Sequence, residues 1–120
     1  EDVDTPLQDA LDSVGSDAPS ELVTALQPLT RGDPPDTLKT SGYVVHSLQT
    51  ALHDGLFAES AEEAIVTAVN RGGDTDTIGA IAGAVAGARF GASQLPERWL
   101  SAINEVREIK SLASQITSLS

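Results

Sequence analysis

One helix dominates what this chain can fold into, because glycine recurs at every fourth position of a small, apolar segment: Gly79, Gly83, Gly87 and Gly91. Residues four apart share one face of an α-helix, so the pattern predicts a helix with a flat glycine face. Each interior glycine costs about 1 kcal/mol relative to alanine. We therefore expect a closely packed neighbour to offset that cost. We predict a central helix from Asp74 or Thr75 to about Phe90, buried on nearly all sides.

The remaining apolar residues also recur at intervals of three and four, and no alternating strand pattern stands out. The sequence therefore predicts an all-α fold. Further helices are expected from Thr5–Pro6 to Gly15, around Leu22–Leu29, from Gly42 to a stop at Gly55 or Leu56, after a capping box at Ser60 and Glu63, and from Pro96 to at least Val106. Residues 31–37 read as a polar loop.

The charge balance excludes one class of partner. The chain has 120 residues with 18 acidic and 7 basic side chains, a formal net charge of −11. Such a surface repels nucleic acid. The chain has no cysteine and no apolar run of the length that spans a membrane. We expect a cytoplasmic protein that does not associate with membranes, and its acid-rich, lysine-poor composition favours a halophilic origin.

The segment from Gly72 to Thr77, Gly-Gly-Asp-Thr-Asp-Thr, carries the chemistry that the sequence offers. Two glycines allow a tight backbone path. The oxygens of Asp74, Asp76 and Thr77 suit hard cations such as Mg²⁺ or Mn²⁺. They lie where a helix begins, a position that favours negative charge. The segment therefore predicts a ligand or metal site.

Other interpretations explain less of this segment. Helix capping accounts for one or two residues but leaves the paired glycines unexplained. An EF-hand loop starting at Asp74 would need an oxygen ligand at Ile78 and a glutamate at Val85. A phosphatase motif would follow a buried strand, whereas a helix precedes this segment. His46 and His53 are seven residues apart on one predicted helix, and we interpret them as ordinary surface or interface residues.

The sequence from Asn70 to Gly91 resembles the C-terminal signature of the ADP-ribosylglycohydrolase family. Residues 41–53, Ser-Gly-Tyr-Val-Val-His-Ser-Leu-Gln-Thr-Ala-Leu-His, and residues 95–100, Leu-Pro-Glu-Arg-Trp-Leu, continue the likeness. The chain looks most similar to the branch that contains the dinitrogenase reductase-activating glycohydrolase. The resemblance implies that residues 1–120 are the C-terminal part of a single all-helical domain, whose N-terminal part lies outside this chain.

The resemblance also implies a site and an activity. By likeness, Asp74, Asp76 and Thr77 match metal ligands of a centre with two divalent cations, Mg²⁺ or Mn²⁺. Tyr43, Gly72 and Gly73 match residues that contact ADP-ribose. The implied activity is metal-dependent hydrolysis of ADP-ribose from a target, foremost ADP-ribosyl-arginine on protein, with small-molecule conjugates as further candidates.

The family pattern is incomplete in these residues. An N-terminal Gly-Asp-Ala-x-Gly-type segment and a Thr/Ser-x-Asp-Asp-type metal motif are both absent from residues 1–120. We therefore expect the catalytic carboxylates to come from an N-terminal half that acts as a partner, and the isolated chain to be inactive. The alternative is a non-catalytic ADP-ribose-binding or structural relative of the family.

Overall fold

The computed structural model describes residues 4–31 and 43–119. These residues form seven α-helices and no strand: α1 (Asp4–Val14), α2 (Ser20–Thr30), α3 (Val44–Phe57), α4 (Ala61–Val69), α5 (Thr75–Phe90), α6 (Glu97–Leu100) and α7 (Val106–Thr117). The predicted all-α class is confirmed. The polar loop predicted at residues 31–37 falls almost wholly outside the described residues. No helix in the described ranges is both long and apolar enough to cross a bilayer.

Helix α5 packs between α3 and α4. Ala51 of α3 clusters with Ile78 and Ala82, and further along Gly55 meets Val85, so α3 and α5 run in the same direction. Helix α4 runs opposite to both, because its last residues lie against the start of α5. Both α3 and α5 therefore begin at one end of this three-helix unit, where the connection from α4 also arrives.

Two kinds of core hold the unit together. The core around α5 is made of small residues, mainly alanines that are almost fully buried: Ala51, Ala58, Ala61, Ala64, Ala68, Ala82 and Ala86. A separate leucine-rich core, centred on Leu7, Leu26 and Leu29, joins α1 and α2 to the other face of α3. Helix α3 is therefore buried on two faces, and its small-residue face allows α5 to approach closely.

The glycines of α5 only partly explain this closeness. A Cβ built on Gly79 would lie 2.9 Å from Cγ1 of Val69, and one on Gly83 would make ordinary contact with Ile65. A Cβ on Gly87 would meet nothing within 4 Å. The tightest approach is made by a glycine of α3, Gly55. The prediction that Gly55 ends its helix is wrong, because α3 continues to Phe57.

The prediction that α5 is buried on nearly all sides is also wrong. Ala80, Ala84 and Ala88 are exposed along one face. Only two helices, α3 and α4, pack extensively on α5 within the described residues, and they leave its third side open. Ala80, Ala84 and Ala88 lie on the same side of α5 as Asp76 and Thr77 in its first turn.

The helix boundaries follow local chemistry. Oγ of Ser60 accepts the N–H of Glu63 at 3.0 Å, as the predicted capping box requires, but the Glu63 carboxylate accepts the N–H of Glu59 instead of that of Ser60. Helix α1 begins at Asp4, so the predicted N-cap at Thr5 is wrong.

A single helix after Pro96 was also predicted wrongly. The N–H groups of Ala102 and Ile103 bond three residues back, which tightens and ends α6. Helix α7 follows as a separate element. Its larger apolar residues Ile109, Leu112 and Ile116 remain exposed, Ile116 at 69%, because α7 makes no extensive contact with another helix in the described part of the chain.

Alanine substitution at Gly87 and Gly55 should have opposite effects. Gly87→Ala should raise the free energy of unfolding by about 0.5–1 kcal/mol, because the helix gains propensity and the new methyl meets no atom. Gly55→Ala should lower it by about 1–2 kcal/mol, because its Cβ would lie 2.8 Å from Cβ and Cγ1 of Val85. Urea denaturation of both variants measures the difference, and a stabilised Gly55→Ala protein would contradict the packing described above.

Candidate functional site

The connection between α4 and α5, residues 70–74, is a tight loop built on two glycines. Gly72 has φ +82° and Gly73 has φ +70°, both in the left-handed region that side chains disfavour. Asp74 follows with φ −81° and ψ 57°, and the N–H of Thr75 donates to the carbonyl of Gly73 at 2.9 Å. This geometry is an inverse γ-turn that leads directly into α5. The predicted role of the paired glycines in shaping a tight loop agrees with these dihedral angles.

The oxygens of Asp74, Asp76 and Thr77 lie together at the start of α5. Oγ1 of Thr77 donates to Oδ1 of Asp74 at 3.0 Å, and the N–H of Thr77 donates to Oδ1 of Asp76 at 2.9 Å. Asp74 is the N-cap residue of α5, yet its side chain accepts no capping bond from a backbone N–H. Capping therefore does not account for the Asp74 carboxylate.

The electrostatics of these carboxylates favour a cation. A hydrogen bond with the Asp74 carboxyl, and then the backbone N–H of Thr77, lower the pKa of Asp76 below its usual value. In the part of the chain that the structure describes, neither carboxylate forms an ion pair with a lysine or arginine. An ionised carboxylate without a basic partner is a suitable ligand for a hard cation.

The loop does not form a complete metal site by itself. Within residues 4–31 and 43–119, no group of three or more acidic or histidine side chains is placed to hold a metal ion. The loop and the first turn of α5 offer two carboxylates and one hydroxyl. Oxygen ligands of this kind suit Mg²⁺ or Mn²⁺, but these three groups are fewer than the ligands that such a cation needs. Further ligands would have to come from outside this cluster.

Tyr43 immediately precedes α3 and lies at the same end of the unit as the glycine loop, because α3 and α5 begin there together. The ring of Tyr43 is 42% exposed and meets the ring of His46 edge-on, with 4.8 Å between centroids. A hydrogen bond with Glu21 of α2, with smaller effects of burial and of the charge of Glu21, raises the pKa of Tyr43.

His53 and His46 contact different residues. Its Nδ1 is 3.3 Å from Oδ1 of Asp54, and its ring packs against Phe57. The two histidines therefore do not converge on one site.

Sequence reasoning missed the residue that anchors the loop. Asp54 lies on the small-residue face of α3 with its side chain only 1% exposed. Arg71, directly before the two glycines, donates from Nε to Oδ2 at 2.6 Å and from the terminal nitrogen Nη2 to Oδ1 at 2.5 Å. Burial raises the pKa of Asp54, but the hydrogen bonds from Arg71 and His53 outweigh it and hold that pKa below its usual value. An acid among small, buried positions was the signal available in the sequence.

Comparison with known proteins now defines the class. A family model described as ADP-ribosylglycohydrolase matches residues 1–120, and the chain belongs to this family. The resemblance predicted from residues 41–53 and 70–100 is thus confirmed. No solved structure matches the chain.

The curated relatives are all much longer than the region they share with this chain. It is 39% identical over 66 residues to the ADP-ribosyl-dinitrogen reductase glycohydrolase of Rhodospirillum rubrum, covering 55% of this chain and 22% of that protein. It is 35% identical over 81 residues to the ADP-ribosylarginine hydrolase Tri1 of Serratia proteamaculans, covering 68% and 22%. The human ADP-ribosylhydrolase ARH3 is 39% identical over 57 residues, covering 48% and 16%. The matched region is therefore about a fifth of each relative.

Proposed function

We propose that this chain supplies the metal-binding loop of a hydrolase that releases ADP-ribose from an ADP-ribosylated target. One observation carries the proposal: the oxygens of Asp74, Asp76 and Thr77 lie together, and among the described residues neither carboxylate is paired with a basic side chain. Membership of the family supplies the reaction class. The favoured substrate is ADP-ribosyl-arginine on a protein, because one relative is an ADP-ribosylarginine hydrolase.

The donor set fits two divalent cations, Mg²⁺ or Mn²⁺, shared with ligands from the rest of the polypeptide. Asp74, Asp76 and Thr77 would hold them on this side. When bound, such cations supply Lewis-acid chemistry that polarises the oxygens of the ribose and of water. Asp74 and Asp76 act as ligands and counter-charges in this scheme, and the catalytic carboxylates belong to the N-terminal half.

The remaining predicted residues, Gly72, Gly73 and Tyr43, shape the binding site and orient the ligand. Gly72 and Gly73 carry no side chain, so the backbone of the loop can lie directly against a ligand. The first N–H groups of α5 and the positive end of its dipole favour an anionic group such as a diphosphate. The exposed ring of Tyr43, at the same end of the helices, offers a flat surface for part of the ADP-ribose.

Calorimetry and a release assay test this function together. We expect ADP-ribose to bind residues 1–120 only when Mn²⁺ or Mg²⁺ is present, and we expect the isolated chain to release no ADP-ribose from ADP-ribosyl-arginine. The full polypeptide should bind and release. Binding without release by the full polypeptide would instead support a non-catalytic ADP-ribose-binding relative. Binding that does not depend on the cation would contradict the metal site.

A further inference from the structure

A buried ion pair joins the last turn of α3 to the glycine loop. Both oxygens of Asp54 are engaged by Arg71 in a two-pronged arrangement, at 2.6 Å and 2.5 Å. Nδ1 of His53 makes a third contact at 3.3 Å. The side chain of Asp54 is 1% exposed and that of Arg71 is 23% exposed. This two-pronged contact fixes the orientation of the Arg71 side chain as well as its distance from Asp54, because the guanidinium is planar and rigid.

The loop has little else to define its path. Gly72 and Gly73 carry no side chains that could pack, and a Cβ built on Gly72 would meet nothing within 4 Å. The N–H of Arg71 bonds weakly to the carbonyl of Ala68 at 3.4 Å, and the next bond in the loop is the γ-turn at Asp74. Glycine pairs are conformationally permissive. The side chain of Arg71 is therefore the fixed point immediately before the flexible part of the loop.

Stability alone is a weak reason to keep such a pair. A buried ion pair often contributes no more than well-packed apolar residues of similar size, because both charges lose their hydration. Here the surrounding core is built mainly of small residues, among which alanines predominate. The charge pair does something that apolar residues do not, since it sets the direction in which the chain leaves α4.

We infer that Asp54 is a positioning residue which, through Arg71, fixes the glycine loop and thereby the spacing of the Asp74 and Asp76 carboxylates. The inference rests on the proposed function, since the loop is taken to hold cations. It assigns no contact with substrate to Asp54. Its consequence is that cation affinity depends on a side chain held on a different helix from the ligands.

Arg71→Lys separates positioning from charge, because lysine keeps the positive charge and loses the two-pronged contact. The test measures Mn²⁺ affinity by calorimetry in the full polypeptide, and amide hydrogen exchange by NMR in the 120-residue chain. We expect Mn²⁺ affinity to fall about 10–100-fold, as for the loss of an outer-shell partner. We also expect the amide of Thr75, which donates to the carbonyl of Gly73, to exchange at least about 10-fold faster, while those of Ala82 and Ala86 in the centre of α5 stay unchanged.

A matched control uses the exposed ion pair between Glu62 and Arg98. Arg98→Lys should change neither Mn²⁺ affinity nor exchange in the loop. Faster exchange throughout α3, α4 and α5 in Arg71→Lys would overturn the inference, since it indicates general destabilisation. Unchanged loop exchange would also overturn it. If the full polypeptide binds no Mn²⁺, the proposed function fails, whereas the exchange measurement still decides whether Asp54 and Arg71 fix the loop.

Discussion

Asp54→Ala is expected to lower the free energy of unfolding by about 3 kcal/mol, because it leaves the guanidinium of Arg71 without its buried partner. The estimate lies at the low end for such a loss, since Arg71 is 23% exposed and part of its charge can regain water. Urea denaturation followed by circular dichroism measures the change. Glu62→Ala, which breaks an exposed pair with Arg98, should cost less than about 1 kcal/mol. Equal losses in the two variants would contradict the importance of burial.

The same pair gives the parent protein a defined sensitivity to acid. The folded-state pKa of Asp54 lies below its ordinary value of 3.8, so the folded chain binds this proton less readily than the unfolded chain. Its contribution to stability is therefore complete above pH 3.8 and is lost as the pH falls through the lowered pKa. Asp54→Ala should remove that part of the acid dependence. If the stability of the variant falls between pH 4 and pH 2 as steeply as that of the parent protein, other groups control this acid dependence.

Neutralising the two loop carboxylates should have the largest effect on cation binding. The double variant Asp74→Asn with Asp76→Asn should weaken Mn²⁺ affinity by more than about 100-fold, since amides replace both charged ligands of a hard cation. Asn keeps the shape of Asp, and neither carboxylate is paired with a base among the described residues, so the fold should be retained.

Calorimetric titration with Mn²⁺ measures the loss, and thermal unfolding confirms that the variant is folded. The control is Asp12→Asn, an exposed acid of α1 that accepts a hydrogen bond from Gln8. It also lowers the negative charge of the chain and should leave Mn²⁺ affinity unchanged. If the control and the double variant weaken binding alike, the cation is attracted by net charge and not by the loop.

Local chemistry made much of the fold predictable. The start of α4 followed from Ser60 and Glu63, and the helix predicted from Asp74 or Thr75 to about Phe90 matches α5. The positive φ angles of Gly72 and Gly73 agree with the conformational role inferred from residue type. These features depend on a few consecutive residues, so the sequence alone contains enough information to predict them.

Features that depend on distant partners were not predictable in the same way. Gly55 looked like a helix stop, but it is the point at which α5 approaches α3. The alanine face of α5 is open because no helix of the described residues packs on it, and the spacing of apolar residues in the sequence does not reveal this. Asp54 and Arg71 are 17 residues apart in the sequence, and the residues next to either one do not indicate that the two form an ion pair. Whether Asp74, Asp76 and Thr77 bind cations remains a prediction.

The order of the helices also bears on how this unit folds. Helices α3, α4 and α5 follow one another along the chain, joined only by residues 58–60 and 70–74. All three pack on one another, α3 most extensively on α5, so the contacts stay within one continuous stretch of chain. Helical units with such local topology fold in microseconds to milliseconds. The ion pair can therefore form as soon as these three helices have been synthesised, and the loop takes its shape early, ahead of slower and more distant assembly.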